Sequence, residues 1–104
     1  MMSVENLHQK PRVEIEYCKV CDYGGHCLAL AETIKNISPE ATVICNKGRQ
    51  GSFEVVVNEK LIYSKLQTMA LPDYEEVAEV IQDVANGADP REIKGQQPVN
   101  CGPR

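Results

Sequence analysis

The sequence predicts an α/β (α+β) domain in which a four-stranded mixed sheet is built from the element order β-α-β-β-β-α. Three observations support this prediction: a stretch of strict alternation, a helical apolar stripe after it, and three short β-branched runs before a second helical stripe. A strand–helix–strand unit makes its two strands parallel, and a two-residue turn makes the next pair antiparallel. A chain of 104 residues fits one such domain.

The first strand and the first helix follow from the spacing of apolar residues. Apolar residues that alternate with glutamates predict a strand over residues 12–17. A helix is predicted from about Tyr23 to Ile37, because apolar residues recur there at helical intervals until Ser38-Pro39 stops it. The members of that apolar face are Cys27, Leu30, Ala31, Ile34 and Ile37.

Three further strands are predicted from short runs rich in β-branched residues. They cover residues 41–45, 53–57 and 60–64. A loop over residues 46–51 separates the first two runs, and the two-residue turn Asn58-Glu59 joins the last two into a hairpin.

The last helix is predicted from its capping residues. Asp73 can cap its start, with Glu76 three residues later as the partner of a capping box. Asn86-Gly87 is a typical helix end. The apolar stripe between these signals consists of Val77, Val80, Ile81 and Val84.

The chain is therefore expected to hold one folded unit with two extensions. Residues 1–11 are polar and are interpreted as a disordered N-terminal arm. The folded domain is assigned to residues 12–87. Residues 88–104 contain three prolines and little periodicity, which is typical of an extended C-terminal tail.

Charge and cysteine content narrow the classes of function. The formal net charge is −4, which gives no electrostatic reason to expect nucleic acid or an anionic membrane as a partner. No apolar run approaches the roughly 20 residues that span a bilayer, and no secretory signal is recognised. An odd number of cysteines, five, argues against a secreted disulfide scaffold. We therefore expect a cytosolic protein.

The strongest local motif is the C-x-x-C formed by Cys18 and Cys21. It lies between a predicted strand and a predicted helix of a βαβ unit, the context in which this motif indicates redox chemistry. The N–H groups at the start of that helix would stabilise a thiolate, the species that attacks disulfides. Two other interpretations stay open, half of a zinc site and a pair of inert thiols. The spacing of His26-Cys27 and Cys45 matches no common zinc pattern, so no metal is predicted.

Two more residues are candidates for the same site. Cys45 ends the second predicted strand, and parallel strands bring their carboxyl ends to one edge of a sheet, so it could lie beside the C-x-x-C pair. There it would resolve a mixed disulfide or carry glutathione, or it would only fill the core. Phe53, the single phenylalanine, would either cover the site or pack in the core.

The motifs together resemble those of the selenoprotein W family, whose members are also called Rdx proteins. The resemblance rests on Tyr17-Cys18-x-x-Cys21-x-Tyr23, on Gly51-Ser52-Phe53-Glu54-Val55 and on Ser64-Lys65. It extends from about Val13 to Gly87, and the part from Leu61 onward is similar to the migration and invasion enhancer branch of the family.

The resemblance implies a thioredoxin-like fold and a redox site at the C-x-x-C. Selenoprotein members carry selenocysteine at the position of Cys21, which implies that Cys21 attacks and Cys18 resolves, the reverse of the order usual in thioredoxins. Cys45 matches a cysteine of selenoprotein W itself. The migration branch ends in a prenylation signal, but Cys101-Gly102-Pro103-Arg104 fits that rule poorly, so no lipid anchor is expected.

Two hypotheses of function follow. The first is a cytosolic thiol–disulfide oxidoreductase that exchanges disulfides with glutathione or protein thiols and needs no bound cofactor. The second is an adaptor that binds signalling proteins in cell migration or apoptosis and uses the C-x-x-C as a redox sensor. The chain has no proline between Pro39 and Pro72, hence no equivalent of the substrate-binding proline of thioredoxins, which favours the adaptor slightly.

Overall fold

A computed structural model describes residues 10–97 of the chain. Its sheet has four strands in the order β2-β1-β3-β4. The strands are β1 (Arg12–Tyr17), β2 (Thr42–Lys47), β3 (Phe53–Val57) and β4 (Lys60–Ser64), and the helices are α1 (Gly24–Ile37), α2 (Lys65–Thr68) and α3 (Tyr74–Ala85). β1 pairs in parallel with β2 and antiparallel with β3, so the predicted mixed sheet and the fold class are confirmed.

The core lies between one face of the sheet and the two long helices. Alternation along β1 and β3 turns apolar side chains towards α1 and α3 and leaves Glu14, Glu16 and Glu54 on the opposite face. The predicted apolar stripe of α3 is buried throughout. The largest buried core side chains are Phe53, Ile15, Leu30, Ile34, Ile62, Ile81, Val13, Val55, Val57, Val77, Val80 and Val84.

The second strand and one short helix differ from the prediction. The second strand does not end at Cys45, because its pairing with β1 continues to Lys47 opposite Tyr17. The short helix α2 was not predicted. It begins after Ser64, whose hydroxyl accepts the N–H of Gln67 as a cap. The helix has four residues, too few to give a periodic pattern in the sequence.

The capping residues of α3 are partly as predicted. The Asp73 carboxylate accepts the N–H groups of Glu75 and Glu76, which confirms it as the cap. The prediction that Glu76 completes a capping box is wrong. Its carboxylate instead accepts the backbone N–H groups of Lys94 and Gly95, and so ties the segment after α3 to the start of the helix.

Residues 88–97 form no helix, and their only strand-like pairing is the bridge between Pro72 and Gln96. They nevertheless contact the sheet, since Ile93 is buried and its N–H donates to the carbonyl of Ile62 over 2.9 Å. The proposed N-terminal arm up to Gln9, and Cys101 in the proposed tail, lie outside the described residues. Within residues 10–97, no helix is long and apolar enough to cross a membrane.

Candidate redox site

The C-x-x-C motif occupies the tight turn between β1 and α1. Cys18 and Cys21 are joined by a disulfide, with their Cα atoms 5.3 Å apart. The turn is closed by the N–H of Asp22, which donates to the carbonyl of Lys19, and by the N–H of Tyr23, which donates to the carbonyl of Cys18. Asp22 takes a left-handed conformation with φ of 66°, which is strained for most residues and tolerated by aspartate.

The two sulfur-bearing residues differ in their environment. Cys18 is 0% exposed, whereas Cys21 is partly exposed. The backbone N–H of Cys21 donates to Sγ of Cys18 over 3.1 Å. The buried sulfur therefore has a hydrogen-bond donor that would stabilise it as a thiolate, and the accessible sulfur is the one that a second molecule reaches.

The first turn of α1 begins directly after the motif. Tyr23 precedes the helix without a side-chain cap, and the first turn carries no acidic side chain. No carboxylate in this first turn therefore offsets the partial positive charge at the start of the helix. Such a charge near the sulfurs favours their ionised form.

The loop before β3 supports the motif from the other side. The N–H of Cys18 donates to the carbonyl of Ser52 over 2.9 Å. An ion pair between Glu16 and Arg49 fixes this loop, since Oε2 of Glu16 accepts the Arg49 backbone N–H at 2.7 Å and its Nε at 2.9 Å. The side-chain hydrogen bond from Arg49, with smaller contributions from its backbone N–H and its charge, lowers the pKa of Glu16 to about 2, and the same hydrogen bond raises the pKa of Arg49.

Aromatic side chains pack around the start of α1, next to the motif. The ring of Tyr23 meets the ring of Phe53 edge to face at 6.4 Å between centroids, and Lys65 Nζ lies 5.2 Å from the centre of Tyr23. His26 Nδ1 and the Tyr74 hydroxyl share a hydrogen bond of 2.9 Å. Burial raises the pKa of Tyr74, because desolvation disfavours its ionised form.

A second disulfide joins Cys27 to Cys45. Cys27 lies in the first turn of α1 and is 0% exposed, and Cys45 is a partly buried residue of β2. Parallel pairing places Cys45 opposite Ile15, three residues before Cys18. Cys45 is thus bonded within the domain and is not a free third thiol in this structure.

The predicted site residues are therefore distributed as follows. Cys18 and Cys21 are together, as the motif indicates, whereas Cys45 is paired elsewhere. Phe53 is fully buried opposite Tyr17 and lies beneath Tyr23, so it supports the site from the core and does not cover it. Residues 10–97 hold no group of three or more His, Cys, Asp or Glu side chains placed to bind a metal.

Sequence reasoning missed several residues of the site. The support from Ser52 is a backbone contact that leaves no side-chain pattern. Glu16 and Arg49 lie 33 positions apart, and only the fold brings them together. Glu54 is nearly buried and accepts the N–H groups of Phe53 and Leu66, so it ties β3 to the start of α2. A charged residue inside an apolar strand was the one signal that could have revealed it.

Comparison with known proteins decides the family. The family model described as "Rdx family" matches residues 12–83. This chain belongs to the Rdx family. The match includes the whole sheet, the C-x-x-C and most of α3, so the resemblance inferred from the motifs is confirmed.

Individual Rdx relatives agree with this assignment. The chain is 30% identical over 87 residues to migration and invasion enhancer 1 of Bos taurus, covering 84% of this chain and 76% of that protein. The Mus musculus protein of the same name is 30% identical over 86 residues, with coverage of 83% and 75%.

Solved structures support the fold. A selenoprotein W-related protein from Vibrio cholerae superposes with a TM-score of 0.68 at 23% identity, covering 74% of this chain and 99% of that one. A Bordetella parapertussis protein gives a TM-score of 0.66 at 18% identity, with coverage of 73% and 99%. The thioredoxin-like fold expected from the resemblance is thereby confirmed.

Proposed function

We propose that this Rdx protein is a thiol–disulfide oxidoreductase that uses the Cys18–Cys21 disulfide and exchanges it with glutathione or protein thiols. The observation that carries the proposal is the asymmetry of this disulfide. Cys21 is accessible, whereas Cys18 is buried and its sulfur accepts a backbone N–H. A disulfide at the start of a helix, in a family with a redox-type motif, adds support.

Each step of the exchange can be assigned to one sulfur. A glutathione thiolate attacks Sγ of Cys21, the bond to Cys18 breaks, and the electron pair leaves with Sγ of Cys18. The N–H of Cys21 stabilises that leaving thiolate. A second glutathione thiolate then attacks the glutathione sulfur of the mixed disulfide, which releases glutathione disulfide and the Cys21 thiolate. Two protons, originally those of the glutathione thiols, end on Cys18 and Cys21.

In the reverse direction Cys21 attacks a partner disulfide and Cys18 resolves the resulting mixed disulfide. This order agrees with the one that the selenocysteine position of the family implies. The accessibility of Cys21 supports it, because a buried Cys18 could not reach a large partner before Cys21 does. The cytosol is the proposed compartment, since its glutathione would supply the electrons.

An adaptor function is the second candidate, and one observation favours it. Val20, between the two cysteines, is an apolar side chain left 83% exposed. An exposed apolar residue in the centre of the motif would suit contact with a protein partner whose binding depends on the state of the disulfide. The name of the relatives, migration and invasion enhancer 1, suggests cell migration as the process in which such an adaptor would act.

Turnover with glutathione separates the two candidates. An oxidoreductase should reduce a protein disulfide catalytically with glutathione and glutathione reductase, and Cys18→Ser and Cys21→Ser should each lower the rate at least about 100-fold, because Cys21 attacks the partner and Cys18 resolves the mixed disulfide with it. Met69→Ser, which changes another highly exposed apolar residue outside the motif, is the matched control and should keep full activity. Absence of turnover in the unmodified protein would reject the oxidoreductase and favour the adaptor.

A further inference from the structure

The disulfide between Cys27 and Cys45 joins two elements that the backbone leaves unconnected by hydrogen bonds. Cys27 belongs to the first turn of α1, and Cys45 belongs to β2, the outer strand that pairs with β1 alone. Their Cα atoms are 6.3 Å apart, within the range of about 4.4 to 6.8 Å that disulfides span. The backbone at the two positions therefore accommodates the bond without distortion.

We propose that Cys27 and Cys45 form a second redox couple, and that its oxidation fastens the first turn of α1 to β2. This proposal goes beyond the exchange at Cys18–Cys21 and does not depend on it. The partners of the second couple are small thiols and their disulfides, because the bond lies under the surface of the domain, where a protein partner would have poor access.

The two ends of the bond differ in accessibility. Cys45 is partly exposed, whereas Cys27 is 0% exposed and belongs to the apolar core cluster. A small thiolate therefore reaches Sγ of Cys45, and the departing electron pair goes to Sγ of Cys27. An apolar surrounding disfavours a thiolate, so Cys27 is a poor leaving group and the bond should open slowly.

The first couple lacks this obstacle. Cys18 is equally buried, but its sulfur accepts the N–H of Cys21 at 3.1 Å. The reduced form of the first couple is thus stabilised, so the Cys18–Cys21 bond should open faster and, at equilibrium, in less reducing mixtures. The domain would then accept two electrons at Cys18–Cys21 and two more, later, at Cys27–Cys45.

The reaction balances with one class of reagent. Two molecules of a small thiol reduce the Cys27–Cys45 bond, giving two cysteine thiols and one small-molecule disulfide. The same disulfide restores the bond by the reverse steps. No metal or bound cofactor takes part.

Closing the bond should change the helix that follows the C-x-x-C. The Cys27 N–H donates to the carbonyl of Tyr23, which itself follows Cys21 by two residues, so fixing Cys27 fixes the start of α1. The bond also closes a loop of residues 28–44. For a loop of that length, opening it should lower the folding equilibrium constant by about 100-fold.

Peptide mapping of the oxidised full chain tests the proposal. Trypsin alone leaves Cys21 and Cys27 in one peptide, residues 20–35, because no lysine or arginine separates them. Additional cleavage before Asp22 places them in different peptides, so the two bonds can be distinguished. The protein is equilibrated with mixtures of oxidised and reduced dithiothreitol, free thiols are alkylated, and each pairing is scored across the series.

We expect Cys27–Cys45 to form as a discrete bond, to open at more reducing mixtures than Cys18–Cys21, and to form equally in a Cys18→Ser/Cys21→Ser variant. In that variant, reduction should lower the folding equilibrium constant about 100-fold, and a further Cys27→Ala/Cys45→Ala change should abolish this effect of reduction. Failure of Cys18 and Cys21 to pair in any mixture, while Cys27–Cys45 still forms, would reject the oxidoreductase and leave this proposal standing. Free thiols at Cys27 and Cys45 in the most oxidising mixture, or a bond from Cys45 to Cys18 or Cys21, would overturn it.

Discussion

The backbone N–H of Cys21 donates to Sγ of Cys18 over 3.1 Å. The accessible cysteine thus supplies the hydrogen bond that would stabilise the buried one when the disulfide opens. Cys18 is closed off from solvent and Cys21 is not. Cys21 can therefore react with the partner molecule, while Cys18 leaves as a thiolate and later resolves the mixed disulfide.

This division predicts an asymmetric result in a trapping experiment. With Cys18→Ser, Cys21 should still attack glutathione disulfide and keep the glutathione, because the resolving thiol is gone. With Cys21→Ser, the buried Cys18 should acquire glutathione at least about tenfold more slowly. Intact mass followed by peptide mapping measures both adducts, and the mapping also excludes adducts on the other cysteines. Faster modification of Cys18 would reverse the assigned roles.

The ion pair of Glu16 and Arg49 predicts an acid-dependent loss of stability. The folded state lowers the pKa of Glu16 to about 2 from an ordinary value of 4.5. The stabilisation is therefore complete above about pH 4.5 and is lost as the pH falls towards 2. Since the Arg49 side chain is 66% exposed, solvent screening limits the contribution at Glu16 to about 1 kcal/mol of the free energy of unfolding.

Denaturant unfolding between pH 2 and 7 measures this contribution. Glu16→Gln should flatten the pH dependence over that window, and Arg49→Ala should flatten it to the same extent. The double variant should add nothing further, since both changes remove one interaction. Additive effects of the two changes would show that the pair does not act as a unit.

Two residues in left-handed conformations predict gains in stability. Asp22 has φ of 66°, and Glu59 has φ of 74° in the turn between β3 and β4. Glycine adopts this conformation without a steric penalty, so Glu59→Gly should raise the free energy of unfolding by about 0.5 to 1 kcal/mol, and Asp22→Gly should raise it by less because aspartate already tolerates this conformation. Glu59→Val is the contrasting control, and thermal unfolding should show it to be destabilising.

Two glycines predict opposite responses to the same substitution. A Cβ at Gly48 would collide with the side chain of Glu16, and one at Gly25 would meet nothing within 4 Å. Gly48→Ala should therefore disturb the loop that supports Cys18 and lower the melting temperature. Gly25→Ala should leave the stability unchanged or raise it by up to about 1 kcal/mol, because alanine favours a helix. A tolerated Gly48→Ala would contradict the close approach of this loop to β1.

The sequence predicted those parts of the fold that depend on local periodicity. Alternation in β1 and the apolar stripe of α3 were sufficient to locate both elements, and Asp73 was correctly assigned as a cap. The helix α2 was missed because four residues are too few for a period. Glu76 was assigned to the wrong partner, since the segment that it binds is 18 residues away in sequence.

The candidate site was predicted only where its residues are neighbours in the chain. The C-x-x-C fixes the separation of Cys18 and Cys21 through the turn itself. Cys45 was expected at the strand end near that pair, but β2 continues to Lys47. The Cys45 side chain is bonded instead to Cys27 in the first turn of α1. The bond between a helix and a strand depends on a tertiary distance that spacing in the sequence does not encode.

A redox titration of the Cys18–Cys21 pair against glutathione, scored by peptide mass after differential alkylation, shows whether this disulfide is redox-active. We predict a reversible two-electron couple with a midpoint in the cytosolic range of roughly −200 to −300 mV. Cysteines 18 and 21 that remain independent thiols throughout the titration, or that purify with bound zinc, would contradict the assignment of a redox-active disulfide.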